Sequence, residues 1–152
     1  LRQYEISNYA RAGFESRHNL LGWRGEDYLG VGPGAVSTVE GRRFKNPESL
    51  RDYLRRSARG AGPAEEEVLD PPTRAREKIM LGLRTAEGVS EEDLASLGVA
   101  PAALAPLRDL GLLELSSGRA ALTREGRFVA DEVIRKVWEC LEHDADEPLP
   151  GR

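Results

Sequence analysis

The sequence of 152 residues contains a single cysteine, Cys140, and only two histidines, His18 and His143. One cysteine excludes an internal disulfide framework and any metal site built from several thiolates. No apolar run reaches the roughly 20 residues that a membrane-spanning helix needs. No charged segment followed by an apolar one resembles a signal peptide at the start of the sequence. From these absences we expect a reducing, cytoplasmic setting and no transmembrane segment.

Enough apolar material is present for a core, since hydrophobic residues make up 39% of the chain and charged residues 32%. The charge is unevenly distributed. Residues 1–62 carry 11 basic and 7 acidic side chains, a net of +4, whereas residues 63–152 carry 11 basic and 19 acidic ones, a net of −8. The stretch Gly60-Ala61-Gly62-Pro63 is typical of a linker. We therefore predict two domains, residues 1–62 and residues 63–152.

The first predicted domain has little periodicity. Residues 3–6 favour a short strand with Tyr4 and Ile6 on one face. Further along, Asn46 as N-cap and Pro47 in the first turn predict the start of a helix. Its apolar stripe comprises Leu50, Tyr53 and Leu54.

The second predicted domain is more regular. N-terminal signals predict helices that begin near Asp70, Ser90 and Pro101. Two short strands, residues 112–115 and 119–122, are expected to pair through a turn at residues 116–118. Thr123 is expected to cap one long last helix, whose stripe contains Val129, Val133 and Val137. This order of elements predicts a mostly helical, winged-helix-like domain.

A winged helix raises the question of DNA binding, which depends mainly on neutralising phosphates. The third predicted helix offers only Arg108, next to Asp109, and the hairpin only Arg119. The net charge of −8 over residues 63–152 also opposes DNA binding. We therefore predict no nucleic-acid partner and expect this domain to pack against protein.

The glycine-rich stretch Gly30-Val31-Gly32-Pro33-Gly34-Ala35 fits neither the Walker pattern nor the G-x-G-x-x-G spacing of dinucleotide folds. Taken alone, it is either a structural turn or a place where backbone approaches a ligand. His18 and Asn19 have no second histidine, cysteine or paired carboxylate at a spacing that would complete a metal site or a catalytic triad. Cys140 is expected in the core. The chain is therefore predicted to hold no catalytic residue.

Taken together, an ordered series of short motifs resembles the radical S-adenosylmethionine family of oxygen-independent coproporphyrinogen III oxidase-like proteins. Within that family, the sequence is most similar to the heme chaperone branch, HemW. The resemblance covers nearly the whole chain. It is carried by YEISNYA (4–10), GFESRHN (13–19), Trp23, YLGVGPGA (28–35), REKIMLGLR (76–84), GLLE (111–114) and LTREG (122–126).

The resemblance implies an α/β fold. Residues 1–62 would be the C-terminal end of a partial radical-SAM β/α barrel, with its last strand, loops and following helix. Residues 63–152 would be the winged-helix-like C-terminal domain. In this family a CxxxCxxC motif near the start of the barrel holds a 4Fe–4S cluster, and this sequence, which begins with Leu1, contains no such motif. We therefore expect this chain to be the C-terminal portion of a longer protein and to perform no redox chemistry alone.

The resemblance also assigns candidate site residues. Gly30, Val31, Gly32, Gly34 and Ala35 would form the rim of the S-adenosylmethionine pocket. His18 and Asn19, expected in a loop after the strand, would face the same cavity on the heme or substrate side. His18 is the candidate ligand of heme iron, since neutral imidazole suits iron. Many relatives in the chaperone branch have a histidine after the Gly-Ala pair, where this sequence has Val36.

The function implied is that of a chaperone that binds heme and passes it to an apo-protein acceptor such as a respiratory-chain subunit. The complete protein would use the 4Fe–4S cluster, S-adenosylmethionine and heme, none of which this chain alone is expected to bind tightly. Two alternatives stay open. One is an oxygen-independent coproporphyrinogen III oxidase, a porphyrin-biosynthesis enzyme. The other is a stand-alone winged-helix module for protein interaction.

Overall fold

A computed structural model describes residues 1–143, with side-chain detail to Cys140. The described chain contains short strands and helices in alternation. The strands are β1 (Arg2–Gln3), β2 (Tyr9–Ala10), β3 (Val36–Val39), β4 (Arg42–Lys45), β5 (Glu65–Val68), β6 (Val89–Ser90), β7 (Leu113–Ser116) and β8 (Arg119–Leu122). The helices are α1 (Arg17–Trp23), α2 (Leu50–Ala58), α3 (Pro71–Leu83), α4 (Glu91–Ala95), α5 (Ala105–Asp109), α6 (Arg124–Phe128) and α7 (Ala130–His143), with a 3₁₀ turn at Pro101–Leu104.

The chain divides into two compact units. Residues 17–74 form one, here called the inserted unit, and residues 1–16 together with those from 75 onward form the other, the core unit. The stretch 60–63, predicted as a linker, is followed by β5, which pairs with β4 and so lies within the inserted unit. The domain division after residue 62 stays a prediction for the complete protein. Residues 144–152 of the predicted second domain lie outside the described part of the chain.

The core unit contains a three-stranded antiparallel sheet in the order β6-β8-β7. Both strands of the predicted hairpin form, and Ser117 and Gly118 connect them with φ values of 54° and 72°. Two consecutive residues with positive φ match the twist of the flanking strands, which explains the Ser-Gly pair at this turn. The short strand β6 was not predicted, because Val89 and Ser90 carry no alternating pattern of their own.

Three predicted helix caps form in the structure. In each, a side-chain oxygen accepts a hydrogen bond from the backbone N–H three residues later, which satisfies one free donor of the first turn. The donor–acceptor distances are 2.7, 3.0 and 3.0 Å. The three pairs are Asp70 with Thr73, Ser90 with Asp93, and Thr123 with Gly126.

A hydrophobic cluster holds the helices of the core unit against its sheet. Each fully buried aliphatic side chain contributes about 1.5–3 kcal/mol of hydrophobic free energy. The cluster includes Ile79, Leu83, Leu94, Leu104, Leu113, Leu122, Val133, Ile134 and Val137. Cys140 is half-buried and packs against this cluster, as a small apolar residue would.

Near the start of the chain, the strand predicted over residues 3–6 is replaced by β1 (Arg2–Gln3), which pairs with β2 and contains only Gln3 of the predicted region. Glu5 instead makes an isolated bridge to Thr85. Its carboxylate is buried and accepts a hydrogen bond from the Ser7 N–H at 3.1 Å. Tyr4 and Ile6, predicted to lie on one face, are both half-buried, and Ile6 packs against the core cluster, while Glu5 between them is more deeply buried.

The predicted long last helix is divided into two. The backbone of Val129 leaves helical geometry, with φ −122° and ψ 32°, and separates α6 from α7. Helix α6 lies so close to Leu112 that a Cβ added at Gly126 would meet the Leu112 carbonyl oxygen at 1.9 Å. Since α6 is fixed at this backbone contact and α7 packs Val133 into the core, the chain departs from helical geometry between them.

The inserted unit contains a second antiparallel sheet in the order β3-β4-β5. Its strands were not predicted, because β4 reads RRFK and β5 reads EEEV, without apolar alternation. The register explains their pairing: Arg43 lies directly opposite Glu67, and the Arg42 guanidinium donates to the Glu66 carboxylate. Opposite charges on facing strands contribute about 0.2–1 kcal/mol per pair.

The helix predicted to start at Asn46 begins at Leu50 instead. The Ser49 hydroxyl accepts from the Asp52 N–H at 3.4 Å and takes the N-cap role. The predicted apolar stripe does not become a buried face, since Leu50 and Leu54 are 59% and 57% exposed. Within residues 1–143, none of the helices has the length and apolar character needed to cross a bilayer.

Candidate functional site

The glycine turn, residues 30–35, leads into β3. Its first residues lie beside β3, and its last residues bond to Asn46 and Pro47, directly after β4. Tyr28 and Thr38 exchange two backbone hydrogen bonds of 2.8 and 3.0 Å, which place the start of the turn along β3. A Cβ at Gly30 would lie 2.2 Å from the Val36 carbonyl oxygen, so no larger residue fits without moving the backbone. Gly30 is therefore required by a close approach between two segments of the chain.

Two other glycines of the turn are required by their conformation. Gly32 and Gly34 have φ values of 107° and 69°, which side-chain-bearing residues rarely adopt. A Cβ built at Gly32 meets nothing within 4 Å, so the backbone there faces open space. This open backbone is the feature of the turn that leaves room for a ligand.

The turn is held by one polar side chain from β3, Ser37, and by one from the residue directly after β4, Asn46. The Ser37 hydroxyl, which is buried, accepts from the Gly30 N–H at 3.0 Å. The Asn46 side-chain amide donates to the carbonyl oxygens of Gly30 and Gly32, at 3.4 and 3.0 Å. Backbone bonds of 2.9 Å add two further connections, from Gly34 N–H to the Pro47 carbonyl and from Asn46 N–H to the Ala35 carbonyl.

This bonding leaves apolar side chains at the outer side of the turn. Leu29 is 72% exposed and Val31 87% exposed, and Pro33 between the two later glycines is also exposed. The turn therefore presents an apolar surface from a backbone that is fixed at both ends.

His18 and Asn19 lie in the first turn of α1, not in a loop as predicted. Their place follows from the sequence RHNLLGW, in which five consecutive residues before Gly22 tolerate helical geometry. The His18 side chain is exposed and Asn19 is half-buried. The structure thus puts the imidazole at the surface of the inserted unit, where it is accessible to a ligand.

One charged pair lies next to the turn. The Lys45 ammonium donates to the Glu48 carboxylate at 2.6 Å. This hydrogen bond and the attraction between the charges raise the pKa of Lys45 and lower the pKa of Glu48. Both groups therefore stay ionised at neutral pH, and neither has the pKa near neutrality that a general acid or base needs.

A 4Fe–4S cluster does not fit the residues of this chain. Such a cluster needs three or four cysteine thiolates, and the sequence has only Cys140. The Cys140 thiol donates to the Lys136 carbonyl at 3.3 Å, on the apolar side of α7. In the part of the chain that the structure describes, no three His, Cys, Asp or Glu residues are grouped to hold a metal ion.

The basic residues of the predicted recognition elements in the core unit have partners within the unit. Arg108 forms an ion pair with Asp109 at 3.2 Å. The Arg119 guanidinium donates to the carbonyl oxygens of Glu87 and Gly88, at 2.7 and 2.9 Å. The absence of a nucleic-acid partner stays a prediction.

Sequence reasoning missed the two side chains that hold the glycine turn. Asn46 was interpreted as a helix cap because Asn before Pro is a common helix start. An asparagine amide also carries two N–H donors that can bond backbone carbonyls. The run of glycines at residues 30–34 was the signal in the sequence that such a turn was present for Asn46 to hold. Ser37 carried no signal, since its role depends on the register of β3.

A scan against family models matches residues 69–129 to the family described as the HemN C-terminal domain. The matched segment runs from the end of β5 to Val129, the residue that separates α6 from α7.

Curated relatives align with more of the chain. The protein named heme chaperone HemW from Bacillus subtilis is 34% identical over 141 residues, which cover 88% of this chain and 37% of that protein. HemW from Mycobacterium tuberculosis is 38% identical over 137 residues, 88% of this chain and 34% of that protein. A mitochondrial radical S-adenosyl methionine domain-containing protein 1 from Danio rerio is 34% identical over 150 residues, 91% of this chain and 32% of that protein.

The chain thus spans about a third of the length of these relatives. Among solved structures, the coproporphyrinogen III oxidase HemN from Escherichia coli, described as a radical SAM enzyme, matches with a TM-score of 0.54. The match covers 76% of this chain and 28% of that one, at 21% identity. This match shows that the two chains share an α/β fold.

Proposed function

The chain belongs to the radical SAM family of coproporphyrinogen III oxidase-like proteins, and we propose that it is the C-terminal part of a HemW-like heme chaperone. The observation that carries the proposal is the alignment of 88% of the chain with HemW at 34% identity. The complete protein binds heme and transfers it to an apo-protein acceptor, such as a respiratory-chain subunit. Its partners include no nucleic acid, and it works in the cytoplasm.

In this proposal, residues 1–62 complete the end of a partial β/α barrel, and the rest forms a winged-helix-like C-terminal domain. The order helix, strand, two helices and hairpin from α3 to β8 supports the winged-helix description. The cluster ligands lie in a part of the protein that this sequence does not contain, because Cys140 is its only cysteine. The cluster and S-adenosylmethionine supply radical or redox chemistry when bound, and this chain alone is inactive.

The residues of this chain then have two roles. The glycine turn, with Gly30, Val31, Gly32, Gly34 and Ala35, is the rim of the S-adenosylmethionine pocket. The open backbone at Gly32 and the fixed carbonyls around it support this role.

His18, with Asn19 beside it, forms the heme side of the cavity. An exposed imidazole on a short helix supplies a nitrogen ligand for heme iron. Val36 has no ligating group, so His18 receives no help from a histidine at that position.

The proposal is tested by titrating hemin into the protein expressed from its full reading frame and following the Soret band. His18→Ala is expected to weaken hemin binding about tenfold or more, since the metal–imidazole bond is lost. His143→Ala replaces the other histidine and is the matched control, with binding unchanged. Equal binding by all three proteins would contradict the ligand role of His18. No binding by the wild type would contradict the chaperone function.

An oxygen-independent coproporphyrinogen III oxidase is the alternative within the family. The same titration is therefore accompanied by an anaerobic assay for decarboxylation of coproporphyrinogen III. Turnover of this substrate without stable hemin binding would replace the proposed function by the oxidase. A stand-alone interaction module, the third possibility, predicts neither hemin binding nor turnover.

A further inference from the structure

We propose that Asn46 is the positioning residue of the glycine turn and that it sets the shape of the rim that contacts ligand. The inference rests on the proposed function in one respect, namely that the turn borders a ligand pocket. The structural part stands on two side-chain hydrogen bonds from one amide, to the Gly30 carbonyl at 3.4 Å and to the Gly32 carbonyl at 3.0 Å.

The amide of Asn46 is well suited to this task. Its nitrogen has two N–H donors, and the two carbonyls it meets belong to residues on either side of Val31. By drawing both carbonyl oxygens toward its own amide, Asn46 orients the Gly30–Val31 peptide unit and the Gly32–Pro33 peptide unit. The Val31 side chain is accordingly 87% exposed, as expected when the backbone on both sides is turned inward.

The backbone around Asn46 strengthens the connection. Its own N–H donates to the Ala35 carbonyl at 2.9 Å, so the same residue bonds the turn near its start and at its end. The carbonyl of the next residue, Pro47, accepts from the Gly34 N–H at 2.9 Å. Because the proline ring fixes φ, Pro47 loses less backbone entropy than another residue when it is ordered by this bond.

The helix that follows does not need Asn46. Its N-cap position is filled by Ser49, whose hydroxyl accepts from the Asp52 N–H. Replacing Asn46 should therefore disturb the turn and leave α2 in place, whereas replacing Ser49 should do the opposite. Variants at Asn46 and Ser49, three residues apart, therefore form a matched pair.

The isosteric variant Asn46→Asp tests the donor directly. An ionised carboxylate has no hydrogen to donate and would face two carbonyl oxygens, so it removes both bonds and adds repulsion. Asn46→Ala removes the bonds without repulsion. Ser49→Ala is the control, since it removes one side-chain hydrogen bond from the neighbouring helix.

Hydrogen exchange by mass spectrometry is measured on the protein expressed from its full reading frame. We expect the amides of residues 30–36 to exchange about tenfold faster in Asn46→Ala, as for the loss of one net hydrogen bond, and faster still in Asn46→Asp. Peptides from the core unit should exchange as in the wild type, which verifies folding. Unchanged exchange of residues 30–36 in both variants would overturn the inference.

The same samples are then measured with S-adenosylmethionine as the probe. S-adenosylmethionine should slow the exchange of residues 30–36 in the wild type and in Ser49→Ala. In Asn46→Asp, about a tenfold higher concentration of S-adenosylmethionine should be needed for the same slowing. Equal ligand requirement in the wild type and Asn46→Asp would overturn the role of Asn46 in ligand contact. If ligand protects no residue of the wild-type turn, the proposed rim is wrong, while faster exchange in Asn46→Ala still supports Asn46 as the residue that holds the turn.

Discussion

Gly126 lies on α6 where an alanine would normally be favoured. Replacing a helical glycine by alanine ordinarily stabilises a protein by about 0.5–1 kcal/mol, because less backbone entropy is lost on folding. Here the new Cβ would lie 1.9 Å from the Leu112 carbonyl oxygen and 2.9 Å from its carbonyl carbon. Because real Cβ contacts stay above 3.0 Å, α6 or the Leu112 backbone must move by about 1 Å.

The expected sign for Gly126→Ala is therefore reversed. Overpacking against a backbone costs about 2 kcal/mol at the middle of its usual range, and subtracting a helical gain of about 0.75 kcal/mol leaves a net cost of about 1.25 kcal/mol. For a unit of this size, each kcal/mol shifts the midpoint of thermal unfolding by about 4–8 °C, so we expect a fall of about 5–10 °C. The fall is measured by circular dichroism during thermal unfolding and checked by urea titration.

Two other helical glycines provide controls for the same substitution. At Gly82 the added Cβ would lie 2.6 Å from the Val89 Cγ1 and 3.4 Å from the Gly88 carbonyl oxygen, and at Gly22 it meets nothing within 4 Å. Gly82→Ala is expected to cost less than Gly126→Ala, because its closest contact is a methyl group at 2.6 Å and not a backbone oxygen at 1.9 Å. Gly22→Ala should leave the midpoint unchanged or raise it. A Gly126→Ala variant as stable as the wild type would refute the close packing of α6 on Leu112.

Three further predictions concern other parts of the chain. Gly30→Ala should change the backbone amide signals of the turn in NMR spectra, because the added Cβ would lie 2.2 Å from a carbonyl oxygen, whereas Gly62→Ala, with open space around it, should not. Leu104→Ala should lower the free energy of unfolding by about 2–5 kcal/mol in urea titrations, since it opens a cavity in the core. Burial alone would raise the pKa of Asp93, but hydrogen bonds from Lys78 and Ser90 hold it below its usual value. The stabilisation from ionised Asp93 is thus present at neutral pH and is lost as the pH falls below about 4. Asp93→Asn should remove this contribution, so the free energy of unfolding of the variant should fall less than that of the wild type when urea titrations are repeated from about pH 7 down to about pH 3.

The regular part of the fold was predictable because its signals are local. The caps at Asp70, Ser90 and Thr123 depend on a residue and the backbone three positions later, and all three form. The hairpin β7–β8 likewise follows from its turn. The break at Val129 was not predictable, since it results from the contact of α6 with Leu112, far along the sequence.

The inserted unit was harder to predict for the same physical reason. Its strands β4 and β5 are held by facing opposite charges, and such pairing becomes visible only when the register is known. The glycine turn was found, but the side chains that hold it were not. Asn46 has the same local signal whether it caps a helix or bonds two carbonyls, and only the position of the turn decides between them.

The central claim, that this chain is the C-terminal part of a HemW-like radical SAM protein, is tested most directly by the nucleotide sequence upstream of the codon for Leu1. The account predicts an open reading frame that continues upstream, in frame, to a CxxxCxxC motif. A start codon immediately before Leu1, preceded by an in-frame stop codon, would contradict the claim and leave an independent protein-interaction module as the function to examine.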